Sequence, residues 1–291
     1  MTDFGVFIFP TDYSIQPIEL AQEAEVAGFE SIFFPEHTHI PTNRATPFLG
    51  GGDLPKEYWH THDPLIALAG VAGATKTIRI GTGITLVSEH EPLAMAKQVA
   101  SLDVISNGRL ILGIGAGWNA EEMANHGVDF KDRWKVVRER VLAMRVLWSE
   151  AEPEFHGEFV DFDPVWSYPK PLQDGGPPIL LGAQSKWAFD RVVEYCDGWM
   201  PRYVGRTLSS EGIAGLREGV EALRAAADRG GRSIDTIQRT LFGVPPDTGE
   251  QEIDEMINLG FHRILFRLPP EPSTNVLPLL ESCARMAERF S

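Results

Sequence analysis

Short apolar runs alternate eight times with segments of helical period along the 291 residues, and this rhythm constrains the fold more than any other feature. The runs are Phe4–Phe9, Ser31–Phe34, Ile78–Ile84, Arg109–Ile114, Pro178–Gly182, Asp197–Pro201, Thr236–Val244 and His262–Leu268. They are continuously apolar rather than alternating, the pattern of a parallel sheet covered on its outer face. Eight such units predict an α/β fold closed into a (β/α)8 TIM barrel, and the length is typical of one barrel, so a single domain over 1–291 is expected. An open doubly wound sheet is the structural alternative. It is weakened because no G-x-G-x-x-G follows the first strand.

The intervening helices are predicted over Pro17–Gly28, Leu65–Ala74, Pro92–Ser106, Asn119–Trp148, Ser185–Tyr195, Glu211–Arg229, Glu250–Leu259 and Asn275–Phe290. Asp63-Pro64 supplies a start signal, and Gly28, Asn107-Gly108, Gly230-Gly231 and Gly260 supply stops. Asp132-Arg133-Trp134 is a second start signal inside the longest helix. Two insertions break the rhythm. The first, 38–62 after strand 2, holds Gly50-Gly51-Gly52 and the aromatics Phe48, Tyr58 and Trp59. The second, 151–178 after helix 4, contains a short hairpin pattern at Phe155–Phe159. A long loop with aromatics in a compact domain points to function.

With 26 basic and 41 acidic residues the formal charge is −15. Such a surface repels nucleic acid and anionic lipid overall but leaves room for a small anionic ligand held locally. No run of eighteen apolar residues occurs, and the first residues lack the basic start and long apolar core of a signal peptide. Cys196 and Cys283 are isolated. Together these features predict a cytoplasmic protein without a disulfide framework or cysteine zinc site.

A barrel places its chemistry at the C-terminal strand ends. Here those ends are Phe9-Pro10, Glu36-His37, Gly83-Ile84, Gly115-Ala116-Gly117-Trp118, Gly182 to Lys186, Pro201-Arg202-Tyr203 and Arg267. Glycines and aromatics around a wide mouth suit a flat heterocyclic cofactor that carries the hard chemistry itself. The 110–122 stretch runs a strand into Gly115-Ala116-Gly117 and a helix start, which permits close backbone approach to a ligand. His37 is the candidate for proton handling, with its neighbour Glu36 setting its charge state. The rival is a metal site, because His37-Thr-His39 and His60-Thr-His62 are H-x-H pairs. The later strand ends supply no further His or Asp ligands, so no metal ligand is assigned. No nucleophile elbow is present.

Several separated motifs then fall in one order: Phe33-Phe-Pro-Glu-His-Thr-His-Ile-Pro41, Leu54-Pro-Lys-Glu-Tyr-Trp-His60, Ile80-Gly-Thr-Gly-Ile84, Gly113-Ile-Gly-Ala-Gly-Trp-Asn119, His156-Gly-Glu-Phe-Val-Asp-Phe162 and Asp197-Gly-Trp-Met-Pro201. Through them the chain resembles the luciferase-like monooxygenase superfamily, in particular its branch of oxidoreductases that use the deazaflavin coenzyme F420. The resemblance implies a luciferase-like barrel, a flavin-type ring in the mouth, and a bulge with a non-prolyl cis peptide at Gly83–Ile84. It implies that His37 contacts the cofactor and transfers a proton, and that Gly115, Ala116, Gly117 and Trp118 border the ring and side chain. The phosphate is implied to lie on backbone N–H groups of Ala183, Gln184, Ser185, Lys186 and Trp187. Relatives often carry paired glycines in that turn, so here either side chains replace backbone donors or cofactor binding is altered or lost. Similar proteins are often homodimers.

The expected function is therefore hydride transfer between F420 and a small organic substrate, with Phe9, Gly83, Ile84 and the two loops holding the cofactor. The alternatives are an FMN-dependent two-component monooxygenase, a metal-dependent barrel hydrolase, and a cofactor-free binding protein.

Overall fold

A computed structural model describes residues 2–48, 50–203 and 212–290. Eight parallel strands close into a barrel: β1 (Asp3–Phe7), β2 (Ser31–Phe34), β3 (Arg79–Leu86), β4 (Leu110–Gly115), β7 (Ile179–Leu181), β8 (Gly198–Trp199), β9 (Gln238–Val244) and β10 (Arg263–Arg267), the last pairing with the first. The helices between them are α1 (Pro17–Val26), α3 (Pro64–Ala74), α4 (Pro92–Ile105), α5 (Ala120–Asn125), α6 (Arg133–Ser149), α7 (Ala188–Tyr195), α8 (Gly212–Arg229), α9 (Glu250–Asn258) and α10 (Ser273–Ala287). No helix among the described residues is long and apolar enough to cross a membrane.

All eight predicted strands are present, and the sixth is only two residues long. The predicted helix from Asn119 to Trp148 is two helices. The chain leaves α5 at His126 and turns through Gly127, whose φ of +77° favours glycine, before α6 starts at Arg133 beside the second start signal. The predicted first residue of the sixth helix, Glu211, lies outside the described residues. In the 38–62 insertion a single turn, α2 (Glu57–His60), carries Tyr58. In the 151–178 insertion β5 (Phe155–His156) pairs antiparallel with β6 (Asp161–Phe162), two residues beyond the expected end of the hairpin. The Glu139 carboxylate on α6 anchors its turn by accepting from the N–H groups of Glu158, Phe159 and Val160.

Three apolar clusters are present among the described residues. The largest lies between strands and helices; the second fills the lumen with Phe7, Phe9, Phe33, Ile111, Leu180, Met200 and Leu265; a small third one joins Met123, Val128 and Val136. Lumen packing explains why strands carry glycines. A Cβ on Gly113 would stand 2.1 Å from the Thr82 carbonyl oxygen, where β3 and β4 touch. Because the obstacle is backbone, Gly113→Ala should destabilise the fold by about 1–3 kcal/mol. A chemical denaturation midpoint equal to the wild type would contradict this packing account.

Candidate active site

Every barrel strand sends residues from its C-terminal end into one open cavity of about 350 Å3. Phe7 and Phe9 come from β1, Glu36 and His37 follow β2, and Gly83 and Ile84 lie in β3. Ala116, Gly117 and Trp118 follow β4, Ala183 and Gln184 follow β7, and Arg202, Phe242 and Arg267 close the ring. The lumen core forms its floor. The Gly83–Ile84 peptide is cis, and the β3–β4 register shifts between Thr82 and Thr85 around it.

His37 is fixed by a carboxylate far away in sequence. Its Nδ1 lies 2.7 Å from Glu122 Oε2, and the Glu122 side chain is fully buried. Glu122 Oε1 also accepts from the Thr38 N–H at 3.1 Å. Asn119 caps α5 by accepting from the Glu122 N–H, which sets the first helical turn and aims Glu122 at His37. On the other side Trp118 Nε1 donates to His37 Nε2 at 3.4 Å. These partners assign the tautomer: Nδ1 carries the proton, and the Nε2 lone pair accepts from Trp118 at the edge of the cavity that both rings line.

Glu36 does not serve His37. Adjacent residues leaving a strand diverge, and the buried Glu36 carboxylate instead accepts from the Leu86 N–H at 2.6 Å and pairs with His90 Nε2 at 2.8 Å. The expectation that Glu36 serves His37 is corrected by this geometry; the carboxylate bonded to His37 is that of Glu122. Burial opposes charge on His90, and Glu36 overcomes it, so His90 sits above its ordinary value. A third carboxyl, Glu89, follows β3 in a short 3-10 turn (Val87–Glu89). Its side chain is 1% exposed, yet neither oxygen meets an N–H or hydroxyl donor within hydrogen-bond distance. Burial, and then the Glu122 and Glu36 carboxylates, push Glu89 up to about 9, so it is a neutral acid at neutral pH.

The 38–62 insertion walls the site through α5. Glu121, next to Glu122, accepts from the N–H groups of Ala45 and Thr46 on the outer side. Phe48 packs edge-on against Tyr58 and Trp118, and Tyr58 lies 5.2 Å from the His37 ring. Burial holds the Tyr58 phenol above its usual range, with Arg202 and Arg267 pulling the other way. Trp59 is half exposed and its ring lies tilted beside that of His60, so it stands outside the wall.

Of the residues expected to hold a cofactor, Phe9, His37, Gly83, Ile84, Ala116, Gly117, Trp118, Ala183 and Gln184 line the cavity. Gly115 does not. A Cβ there would meet Ile84 Cδ1 at 2.1 Å, and one on Gly182 would meet Ile84 Cγ2 at 2.6 Å, so these two glycines make room for Ile84. Ser185, Lys186 and Trp187 stand beyond the lining and exposed, at the start of α7, which has no side-chain cap. The H-x-H pairs point to separate partners: His39 to Thr38 and Asn125, His60 to Asp12. Among the described residues no His, Cys, Asp and Glu gather as a metal site. Sequence reasoning missed Glu122 and Glu89. The Asn119-x-x-Glu122 capping spacing was a signal for the first; nothing local marks the second.

Removing the Glu122 carboxyl leaves the Thr38 N–H and His37 Nδ1–H without an acceptor. Glu122→Ala should cost about 1–3 kcal/mol of stability, read by denaturant melts. For Glu89, unfolding at neutral pH releases the proton that burial retains. Its presence therefore makes stability fall as pH rises from the ordinary 4.5 towards about 9. Glu89→Gln should gain on the wild type progressively across that window. A stability difference that does not change with pH would show that Glu89 ionises normally.

A family model described as luciferase-like monooxygenase matches residues 9–255. An uncharacterised protein of Mycobacterium tuberculosis is 35% identical over 289 residues, covering 97% of both chains. An FMNH2-dependent dimethylsulfone monooxygenase of Pseudomonas fluorescens is 28% identical over 86% of this chain and 60% of its own length. An F420-dependent glucose-6-phosphate dehydrogenase of Amycolatopsis mediterranei is 27% identical over 77% of this chain and 62% of its own. In structure, an F420-dependent secondary alcohol dehydrogenase superposes with a TM-score of 0.76 at 17% identity over 98% of both chains, a likeness of fold. The chain belongs to the luciferase-like monooxygenase family, an oxidoreductase family with both F420-dependent and FMN-dependent members.

Proposed function

We propose that this chain is an oxidoreductase that moves a hydride between coenzyme F420 and a small organic substrate, with His37 exchanging the accompanying proton. The observation that carries this reading is the fixed His37 imidazole lining the cavity, whose Nδ1 is tied to Glu122 while Nε2 holds only a long bond from Trp118 that a substrate hydroxyl can replace. A basic nitrogen so presented can take the hydroxyl proton of an alcohol as its carbon loses hydride, or return it to a carbonyl oxygen in reverse.

The cavity fits such a cofactor. Its volume lies within the range of small-molecule sites, and apolar walls with few polar groups are the usual form of one. Gly83, Ile84, Ala116, Gly117 and Trp118 would border a flat ring, and Ala183 and Gln184 its side chain. The uncapped N–H groups at the start of α7, with Ser185 and Lys186, would take the phosphate. When bound, F420 supplies the ring carbon that accepts or releases hydride. The chain binds and orients, and Tyr58, Trp118 and Phe48 shield the reacting face from water. An FMN-dependent monooxygenase is the second reading, supported by the FMNH2-dependent relative over 86% of this chain.

Titrating the protein with F420 and with FMN separates the two. F420 saturating near micromolar levels supports the first reading, and saturation by FMN alone moves the assignment to the second. His37→Ala should hold cofactor affinity within about tenfold while turnover drops by roughly a hundredfold or more. Unchanged turnover would remove His37 from the chemistry.

A further inference from the structure

On the side of His37 away from the cavity, three ionisable side chains stand in sequence between the ring and the outside of the barrel wall. His37 Nδ1 meets Glu122 at 2.7 Å. Glu122 also accepts from the Thr38 N–H, and the Thr38 hydroxyl reaches His126 beside Glu89, so the two carboxyls are neighbours. Glu89 lies directly beneath the glycine loop; a Cβ on Gly117 would stand 3.3 Å from Glu89 Oε1. Glu89 Oε2 lies 3.7 Å from His126 Nε2, across a gap that a small side-chain shift closes. The His126 ring, 27% exposed, and Glu89 both line a separate cleft of about 510 Å3 bounded by Arg140, Val160 and Asp161. Two neighbouring buried carboxyls resist ionising together, so one proton serves the pair. Neither Glu89 nor His126 touches the cavity of the candidate active site.

We propose that Glu89 and His126 form the outer half of a proton path running from His37 through Glu122 to the cleft behind the barrel wall. The proposal extends the reading of His37 as the proton-exchanging group. Outward transport balances from the resting tautomer. A proton taken from the cavity on His37 Nε2 makes the imidazolium, which gives its Nδ1 proton to Glu122. The proton already on Glu89 passes to His126 Nε2, Glu122 hands its proton to Glu89, and His126 releases the proton to the cleft. One proton enters, one leaves, and every group regains its starting charge, with the proton of His37 now on Nε2. Inward delivery reverses these steps from that tautomer and restores the Nδ1–H.

The Thr38 hydroxyl belongs to the path's outer end. Its Oγ1 lies 2.7 Å from His126 Nε2 and 2.8 Å from His39 Nδ1, and its single proton serves one ring at a time. When the hydroxyl donates to His39, the His126 lone pair is free to face Glu89. Burial and the nearby His39 keep His126 below its ordinary value, so it rests neutral and able to accept. The charges around Glu89 favour its role as proton holder. Glu122 and Glu36 crowd it with negative charge, Glu36 is engaged by His90, and Arg140 donates to the Val87 carbonyl rather than to Glu89.

The test uses the full chain without added cofactor, so its outcome does not depend on which cofactor binds. Nitrogen-15 NMR of labelled histidines gives the rate at which the His37 Nδ1 proton exchanges with bulk water. Infrared spectroscopy at neutral pH reports the carbonyl stretch of a protonated carboxyl. The wild type should show that band, and Glu89→Gln should lose it and slow the exchange by roughly tenfold or more. His126→Gln, altering a partly exposed ring, should slow the exchange likewise, and it serves as the probe if Glu89→Gln does not fold. A role limited to packing predicts the opposite, because loosened packing admits water and speeds exchange. Exchange that is unchanged or faster in the folded variants, or absence of the wild-type carboxyl band, overturns the path. F420 or FMN titration of the same samples tests the cofactor reading separately.

Discussion

A carboxylate withdrawn from water must be met by donors, and in this barrel that requirement ties the parts of the site together. Glu122 is fully buried and satisfies its oxygens with the His37 ring and the Thr38 backbone, both across the mouth from α5. The bond fixes which nitrogen of His37 faces the cavity. It holds the first residue of the long insertion after β2 in place. It also puts a negative charge beside Glu89, which adds to burial in making that side chain keep its proton. Asn119 at the helix cap and Glu121 one residue earlier extend the clasp along both sides of α5.

The barrel was legible because its signal is repeated. Eight apolar runs, each bounded by caps and glycines, give the same answer eight times, and an error in one boundary does not disturb the rest. The strand-end rule then located the cavity. What escaped was contact between residues distant in the chain: His37 and Glu122 are 85 positions apart, and no periodicity links them. Glu36 was assigned to His37 because it is adjacent in sequence, yet adjacency at a strand end separates side chains. Tyr58 and Trp59 belong to the same aromatic insertion, yet one helical turn sends the two rings in different directions, Tyr58 into the cavity wall and Trp59 outward. The break between α5 and α6 was visible in its start signal but not in the periodicity, since the apolar spacing continues across Gly127.

The glycines illustrate how one residue type serves two ends. Gly117 lines the cavity with φ of +77°, as a loop approaching a ligand requires. Gly115 and Gly182 read identically in sequence, but their missing side chains are filled by Ile84. A residue of the cis-linked pair is thus seated against glycines of β4 and of the turn after β7, and the glycine pattern there is a packing constraint on β3 as much as a property of the pocket.

The manner in which the 38–62 segment is attached bears on how such a scaffold diversifies. Its ends are fastened, at Thr38, Ala45 and Thr46 to α5, and at Thr61 and His62 to the Thr11 and Pro10 segment after β1. The stretch between these anchors contributes rings to the wall but no strand to the barrel. Insertions or exchanges in that stretch can therefore reshape the entrance while the barrel, the anchors and the imidazole keep their geometry. Change in what the pocket admits is thereby uncoupled from the folding of the chain that surrounds it.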